Sequence, residues 1–505
     1  MSTHKQKPSE SAPSKSEKQL FQRVVRGGGW LIALRILTQI VTLIRTVILC
    51  RLILPLEFGL LGVATLTTGM MLSFSEMGFR QALIQRKNHT SGHLNVAWTL
   101  GILRGLVLFA VIYLSAPYVA AFFDRPESPL HVPEAIKVIR VVAFSLVLSS
   151  LINIGTVFFV KELEFHKQLV LETAGLLVDA AVAISLAFIY RNAWALVWGR
   201  LAGSFTRCVM SYMIHPYRPR LSIEGAKIKD LWGFGKHMLI STVMKFLCVH
   251  GDDAFLGRML GAGALGLYQR AFHVGTLVAN EIGNKISQVS FPAYSKVQDN
   301  HSKLKSGYLL ALQATSLVVF PIAGGLIVLA HEFTEIVLGP NWLPMVTSMQ
   351  ILCLLGPLKC MQRGPVFMAL GRPDIVSKLA ALRLTVTVAT IYPLTVKWQM
   401  AGTSLCVLLA AVSLQPIGFY QLKKLINVEI GAVLKLLSLP VGASLIMMLA
   451  VFYAKNALGT IRPLSLIFLI CLGMVTYLIS ICLAGVVSKE YNALALIREI
   501  LKGLK

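Results

Sequence analysis

Hydrophobic residues occur along this chain in runs of about 20, separated by short polar segments that hold many of the lysines and arginines. Runs of this length are typical of transmembrane helices, because about 20 residues at about 1.5 Å each cross the hydrocarbon core of a bilayer. The pattern predicts about fourteen spans. They are expected near residues 29–52, 56–78, 96–119, 136–158, 167–190, 193–215, 233–257, 263–288, 307–331, 344–369, 375–396, 399–421, 433–454 and 464–487.

The composition supports a membrane protein. The 505 residues are 55% hydrophobic and 14% charged, whereas a soluble protein carries about 25% charged residues. We therefore expect an all-α, polytopic membrane protein. Residues 1–27 are polar and lack the apolar core of a signal peptide, which predicts a retained cytoplasmic tail. A short amphipathic helix is expected at the membrane surface near 488–503.

The distribution of cations predicts the orientation. The formal net charge is +25, and the N-terminal tail, alternate loops and C-terminal tail hold roughly 27 Lys and Arg against roughly 7 in the opposite loops. The positive-inside rule then places both termini in the cytoplasm, and no nucleic-acid partner is expected. The eight cysteines lie in apolar segments without CxxC or metal-ligand spacing. No nucleotide-binding loop is visible, so we expect neither cofactor nor metal.

The chain resembles itself at an offset of about 207 positions. Gly235, Leu256, Arg258, Gly266, Leu267 and Ala271 then align with Gly28, Leu49, Arg51, Gly59, Leu60 and Ala64. This predicts two pseudo-symmetric six-helix lobes of like orientation plus two extra C-terminal helices, with a site between the lobes. The expected domains are a tail (1–27), an N-lobe (28–215), a cytoplasmic linker (216–232), a C-lobe (233–427), spans 13 and 14 (428–487) and an amphipathic cytoplasmic tail (488–505).

Charged side chains inside the spans are the candidate functional residues, since an ionised group at mid-bilayer costs roughly 3 kcal/mol and should face a cavity or protein. Cations outnumber anions among them, and arginine and lysine bind phosphate oxygens, which predicts a phosphate or pyrophosphate ligand. The cationic candidates are Arg35, Arg45, Arg104, Arg140, Lys245, Arg270, Lys359 and Arg363. The candidates for gating or ion coupling are Asp179, Asp252, Asp253, His273 and Glu281.

Other charged residues have structural interpretations. Lys137 and Arg207 lie near span ends, where long side chains commonly extend to the interface. Arg51 and Arg258 lie at predicted outer ends and are expected to fix helix ends or contacts between the lobes. No titrating role is assigned to these four.

The acidic residues of span 7 have two interpretations. Asp252 and Asp253 either neutralise a neighbouring cation or take part in ion coupling. The repeat aligns Asp252 with Arg45, so we hypothesise a salt bridge between these two that closes one gate. For His250 and His273, hydrogen-bonded structural roles are favoured over titration.

Four segments resemble a known family. They are the run Asp252–Tyr268 (DDAFLGRMLGAGALGLY), Phe291–Asp299 (FPAYSKVQD), Leu54–Gly59 (LPLEFG) and Val337–Trp342 (VLGPNW). These segments are similar to signatures of the Wzx-type polysaccharide transporters (colanic-acid exporter-like), which belong to the multidrug/oligosaccharidyl-lipid/polysaccharide (MOP) flippase superfamily. The matching segments lie between residues 28 and 345, and the last third matches in hydropathy alone.

The resemblance implies a V-shaped pair of lobes that works by alternating access. It implies a flippase, not an enzyme, that moves an undecaprenyl-pyrophosphate-linked oligosaccharide from the inner to the outer leaflet of the bacterial inner membrane. Membrane lipid, a polysaccharide polymerase and a chain-length regulator are the further partners to expect. The alternatives are a multidrug exporter of the same superfamily, which would need an acidic cavity for cationic drugs, and a membrane-embedded polymerase or glycosyltransferase.

Overall fold

A computed structural model describes residues 37–76, 78, 83, 91–126, 131–162, 164–459 and 461–487. Within these ranges the chain is almost entirely helical, which confirms the predicted all-α class. Both predicted tails lie outside the described residues, as does Arg35.

The main helices follow the predicted spans. They are α1 (37–52), α2 (Pro55–Phe74), α3 (Ser91–Phe123), α4 (Val132–Ser150), α5 (Phe165–Tyr190), α6 (Ala193–Ile214), α7 (Gly225–Lys296), α8 (His301–Val328), α9 (Pro340–Ala369), α10 (Pro373–Ile426), α11 (Ile430–Leu458) and α12 (Pro463–Val487). Among the described residues, 8 helices are long and apolar enough to cross a membrane. The chain is a multi-pass membrane protein.

Two of these helices each contain two predicted spans. Helix α7 has 72 residues and would extend about 108 Å if straight, far more than the roughly 30 Å hydrocarbon core. Gly261, at φ 82° and ψ 177°, breaks it between the predicted spans 233–257 and 263–288. Helix α10 has non-helical angles at Trp398 and Gln399, between the predicted spans 375–396 and 399–421.

Capping residues and backbone breaks define several of the helix ends. The Asn192 side-chain oxygen accepts the Trp194 N–H at 3.1 Å and starts α6. Helix α10 ends at Asn427, whose φ of 52° is left-handed. Helix α7 starts at Gly225, inside the predicted linker 216–232, because a helix continues past its apolar part until a stop signal occurs. Helix α9 is broken before Pro365.

Contacts divide the chain into two units, each described here by itself. Unit 1 contains Met1–Leu49, Phe74–Leu114 and Arg140–Ile240. Unit 2 contains Cys50–Ser73, Ser115–Ile139 and Ser241–Lys505. The units are defined by proximity and not by sequence order, so the lobe boundaries given above stay a prediction.

Each unit has its own apolar core. In unit 2, Tyr308 of α8, Phe367 of α9 and Leu422 of α10 are fully enclosed. In unit 1, Leu94 and Val157 belong to a smaller buried cluster. Many large apolar side chains point outward instead, including Leu464 of α12 at 81% exposed. An apolar outer surface of this extent indicates a lipid-facing protein.

Candidate functional site

In unit 1, α5 and α6 pack closely through glycines that surround Asp179. A Cβ atom added at Gly203 would lie 2.6 Å from the Gly175 carbonyl oxygen and 2.8 Å from the Asp179 Cβ. One added at Gly199 would lie 2.8 Å from the Asp179 Oδ1. Small residues four apart allow membrane helices to approach this closely. The Gly-x-x-x-Gly pair of α6 thereby holds the Asp179 carboxylate against that helix.

Asp179 forms a salt bridge with Arg45 of α1, with 2.9 Å between Nη2 and Oδ1. Both side chains are largely enclosed, at 17% and 19% exposed. Arg200 and Arg207 of α6 lie close enough to interact electrostatically with one another, and Arg200 also interacts with the Arg45–Asp179 pair. These four residues are called the arginine cluster below. Three arginines against one aspartate give the cluster a formal charge of +2.

Arg200 is the accessible member of the arginine cluster. Its side chain is exposed and has no hydrogen-bond partner among the described residues. The Arg45 Nε is buried and has no such partner within the described ranges either. Guanidinium groups bind phosphate and carboxylate oxygens through paired N–H donors. The cluster therefore offers unused donors and excess positive charge to an anion.

The other predicted cations of unit 1 make different contacts. Arg104 donates to Glu76 at 3.0 Å and to the Ser75 carbonyl oxygen at 3.2 Å. Arg140 donates to the Tyr113 carbonyl oxygen at 3.1 Å, and its guanidinium lies 4.3 Å from the centre of that ring. Of the predicted unit 1 residues, the structure thus brings Arg45 and Asp179 together.

Unit 2 holds a second polar group, centred on two buried aspartates of α7. Asp252 accepts a hydrogen bond from the Tyr268 hydroxyl at 2.6 Å, and Asp253 contacts the His250 ring nitrogen at 3.2 Å. The aspartates are 7% and 9% exposed. Arg383 of α10 interacts electrostatically with Asp252. A buried carboxylate is tolerated in such a site because hydrogen bonds and cations compensate its lost hydration.

Lys359 of α9 extends this group. Its ammonium donates to Asn280 at 2.8 Å and lies 5.5 Å from the centre of the Phe272 ring. Lys359 also interacts electrostatically with Arg383 and Asp252. The carboxylate network is the name used below for His250, Asp252, Asp253, Tyr268, Lys359 and Arg383. With histidine neutral, two carboxylates and two cations give it a formal charge of zero.

Arg363 is a packing residue in this structure. It is 8% exposed and donates to the Gln415 carbonyl and side-chain oxygens at 3.1 and 2.8 Å. Its guanidinium lies 5.1 Å from the Phe419 ring centre and occupies the space that a Cβ at Gly418 would need. These contacts use the Arg363 donors within unit 2. They argue against ligand binding by Arg363, which stays an untested prediction.

The remaining predicted residues lie on α7. Lys245 and His273 are exposed. The Arg270 guanidinium lies 4.6 Å from the centre of the Phe58 ring of α2. Glu281 lies 3.9 Å from Lys285, on an exposed surface of the helix. The predicted polar face of the second half of α7 is therefore partly accessible.

The hypothesised salt bridge between Arg45 and Asp252 would join the two units, and it stays a prediction. Arg45 pairs with Asp179, and Asp252 accepts from Tyr268, so each side chain has its partner inside its own unit. The repeat alignment placed Asp252 opposite Arg45 in sequence, but helix packing decides which carboxylate an arginine reaches. Within unit 2, the buried Tyr268 hydroxyl on the second half of α7 is the hydrogen-bond partner of Asp252.

The arginines at the predicted outer ends, expected to fix helix ends or contacts between the lobes, donate to carbonyl oxygens of other segments. Arg51 donates to the Val337 carbonyl oxygen at 3.1 Å. Arg258 donates to the Phe122 carbonyl oxygen at 2.6 Å and lies 4.7 Å from that ring centre. In unit 2 these contacts join the end of α1 to the segment after α8, and α7 to the end of α3.

Two glycines that the repeat aligns with each other are in direct contact in unit 2. A Cβ at Gly266 would lie 2.7 Å from the Gly59 nitrogen, and one at Gly59 would lie 3.2 Å from the Gly266 nitrogen. Trp342 packs edge-on against Phe58 beside them and donates to the Cys50 carbonyl oxygen at 2.8 Å. Contact between equivalent residues is what a pseudo-twofold relation between two repeats would produce.

Sequence reasoning missed Arg200 and assigned Arg207 to the membrane interface. Both lie on α6, seven residues apart and therefore on one helical face. That spacing, together with the Gly199-x-x-x-Gly203 pair, was the available signal.

Comparison with known proteins agrees with this fold. The chain is 26% identical over 388 residues to the lipopolysaccharide biosynthesis protein WzxC of Escherichia coli K12, covering 76% of this chain and 77% of that relative. It is 27% identical over 337 residues to the teichuronic acid biosynthesis protein TuaB of Bacillus subtilis 168, covering 65% and 68%. The structure matches the lipid II flippase MurJ, inward closed conformation, with a TM-score of 0.73 and 15% identity over 91% of this chain and 98% of that one.

The similarity to WzxC and TuaB confirms the resemblance to Wzx-type polysaccharide transporters, and the match to MurJ shows a shared fold. A family model described as "Polysaccharide biosynthesis protein" matches residues 48–347. The chain belongs to that polysaccharide biosynthesis protein family.

Proposed function

We propose that this protein is a flippase for a lipid-linked saccharide, and that its substrate is an undecaprenyl-pyrophosphate-linked oligosaccharide. The repeat unit of an exopolysaccharide, capsule or O-antigen would cross from the inner to the outer leaflet of the bacterial inner membrane. Both termini would lie in the cytoplasm. A polymerase and a chain-length regulator would act on the product.

The arginine cluster carries this proposal. Its charge of +2 and the exposed Arg200 suit a pyrophosphate, which presents several negative oxygens to planar guanidinium donors. Three arginines within a membrane protein are costly unless they bind an anion or line water. A polyprenyl pyrophosphate supplies both the anion and an apolar chain that stays in lipid.

Membership of the polysaccharide biosynthesis family and similarity to WzxC and TuaB support a saccharide cargo. The same MOP superfamily contains drug exporters, which are the first alternative. A site of charge +2 repels cationic drugs, so the arginine cluster favours the anionic cargo.

We further propose that the Arg51 and Arg258 contacts form the closed outer end in an alternating-access cycle. They are hydrogen bonds to carbonyl oxygens, reinforced by one cation–π contact, and burial at Trp342 excludes water beside them. Such contacts can separate without unfolding a helix, as an opening gate requires.

The test is export of the polysaccharide in cells that lack the native gene. The wild-type chain should restore surface polymer, and Arg200→Gln should lower export about tenfold or more, since a charge-assisted hydrogen bond contributes about 1.5–3 kcal/mol. Arg218→Gln is the matched control, because it removes an exposed arginine just beyond α6 whose bonds are to nearby carbonyl oxygens.

The same assay separates this proposal from a polymerase, the alternative of a different class. Loss of a flippase leaves lipid-linked repeat units inside the cell and none on its surface. Loss of a polymerase leaves single repeat units at the surface. Surface single units in the deletion strain, or full export by Arg200→Gln, would contradict the proposal.

A further inference from the structure

A cavity in unit 2 lies where the breaks of α7 and α10 meet the start of α9. Its volume is about 390 Å³, which equals about thirteen waters at their share of liquid volume and falls in the range of small-ligand sites. It is called the kink pocket. It is lined by Leu260, Ala264, Leu267, Pro344, Thr347, Ser348, Trp398, Gln399, Met400 and Ala401.

An aromatic platform forms one side of the kink pocket. Trp398 is 47% exposed, so its ring face is accessible from the pocket. The Lys397 ammonium lies 4.7 Å from the ring centre. The pocket lining contains no carboxylate, and Lys397 places a positive charge beside the Trp398 ring.

An unused hydroxyl lies at the wall of the same pocket. Ser348 is 1% exposed, and its Oγ has no hydrogen-bond partner among the described residues. Buried hydroxyls normally have a partner, because an unsatisfied one costs free energy. Thr347 beside it is exposed and adds a second hydroxyl.

The backbone at the pocket is strained. Gln399 has φ 49° and ψ −129°, a left-handed conformation that only glycine adopts readily. Such conformations persist where the surrounding structure holds them, and they concentrate at binding sites. The strain places the Trp398 ring and the Gln399 amide on one short turn. An interfacial tryptophan anchor would require neither the strained turn nor the buried, unpartnered Ser348 hydroxyl.

We propose that the kink pocket binds an acidic saccharide. Sugar rings place C–H groups against an aromatic face, their hydroxyls pair with amide and hydroxyl side chains, and a uronate carboxylate would pair with Lys397. The choice of a saccharide rests on the proposed function, since a sugar arriving at this turn would come from the translocated cargo. The site itself is independent of the arginine cluster.

The test uses calorimetry to measure the binding of trigalacturonic acid to the purified full chain in nanodiscs. Wild-type protein should bind the trisaccharide, and Trp398→Ala should weaken binding at least tenfold. Lys397→Gln should abolish the preference over neutral maltotriose. Trp198→Ala is the matched control, because Trp198 on α6 of unit 1 is 48% exposed and does not line the pocket.

Ser348→Ala provides a further variant, since its hydroxyl has no partner whose loss would unfold the chain. It should weaken binding several-fold while leaving the melting temperature unchanged. Equal binding by Trp398→Ala and wild type, no binding by wild type, or equal affinity for maltotriose would overturn the proposal. The two proposals fail separately. Loss of export in Arg200→Gln does not change the expected trisaccharide binding. If the wild-type chain binds the trisaccharide but does not export polysaccharide, the proposed pocket is supported and the proposed flippase function is contradicted.

Discussion

The two polar groups of this protein differ in charge balance, although both lie among apolar helices. The arginine cluster of unit 1 has three cations around one carboxylate and an exposed guanidinium. The carboxylate network of unit 2 is balanced, and its aspartates are buried and hydrogen-bonded. Excess charge with free donors can bind a ligand, whereas a balanced and satisfied network stabilises one conformation. We therefore assign anion binding to unit 1 and closure to unit 2.

The largest expected effect is on the packing that builds the arginine cluster. Gly203→Ala places a Cβ 2.6 Å from a carbonyl oxygen of α5, and overpacking of this kind costs about 1–3 kcal/mol. Gly442→Ala in α11 meets nothing within 4 Å and should be neutral or stabilising. Thermal unfolding in detergent should show this contrast, and equal melting temperatures for the two variants would refute the assigned packing.

The next effect distinguishes the ion pair that forms from the pair that sequence predicted. A double-mutant cycle on Arg45→Gln and Asp179→Asn should give a coupling of about 1–3 kcal/mol, because the side chains are in contact and largely enclosed. The cycle on Arg45→Gln and Asp252→Asn should give a coupling near zero. A larger coupling for the second pair would restore the hypothesised gate.

A smaller effect concerns closure in unit 2. Arg258→Gln removes a hydrogen bond to a carbonyl oxygen and a cation–π contact, which together contribute about 1–3 kcal/mol. Native Cys50, which precedes Arg51 at the proposed outer seal and accepts a hydrogen bond from Trp342, is 3% exposed. With the other seven cysteines replaced by alanine, Arg258→Gln should speed maleimide labelling of Cys50, whereas the exposed Arg462→Gln should not. Unchanged labelling would argue against the proposed outer seal.

The smallest effect is a pH dependence in unit 1. His215 follows α6 outside its helical span, stacks on Phe158 and accepts the Tyr217 N–H at Nδ1. Burial is the main cause that lowers its pKa below the usual 6.5. The unfolded chain therefore binds the proton more readily, so stability is full above about pH 6.5 and falls as the pH drops below it. His215→Gln should reduce the loss of melting temperature between pH 7.5 and 5; an unaltered loss would exclude this residue as a cause.

The sequence predicted the positions of the helices better than it predicted which side chains contact one another. Apolar runs located the helices, and a glycine at position 261 separates two spans where the hydropathy pattern expected a boundary. Arg51 and Arg258 each donate to a carbonyl oxygen of another segment, and the assignment of these contacts to a boundary between lobes stays a prediction. The pairing of Arg45 with Asp179 joins residues that are 134 positions apart, and no periodicity encodes such a contact.

The candidate site shows the same limit. For Arg200 the sequence signal was limited to its spacing from Arg207 and the flanking glycine pair, and its place in a site appears when α5 and α6 bring Asp179 beside it. Arg363 is the opposite case. Its position inside a span predicted a ligand-binding role, but its guanidinium packs against Gly418 and donates to Gln415. A charged residue within a span is a candidate for ligand binding, and its tertiary contacts decide whether its hydrogen-bond donors remain free for a ligand.

The most direct measurement of the central claim compares undecaprenyl pyrophosphate with uncharged undecaprenol, binding to the protein in nanodiscs. Wild type should prefer the pyrophosphate at least tenfold. Arg200→Gln, in the arginine cluster, should remove most of that preference, and Lys359→Met, in the carboxylate network, should retain it. The opposite ranking, or equal binding of both lipids by wild type, would contradict an anion site in unit 1.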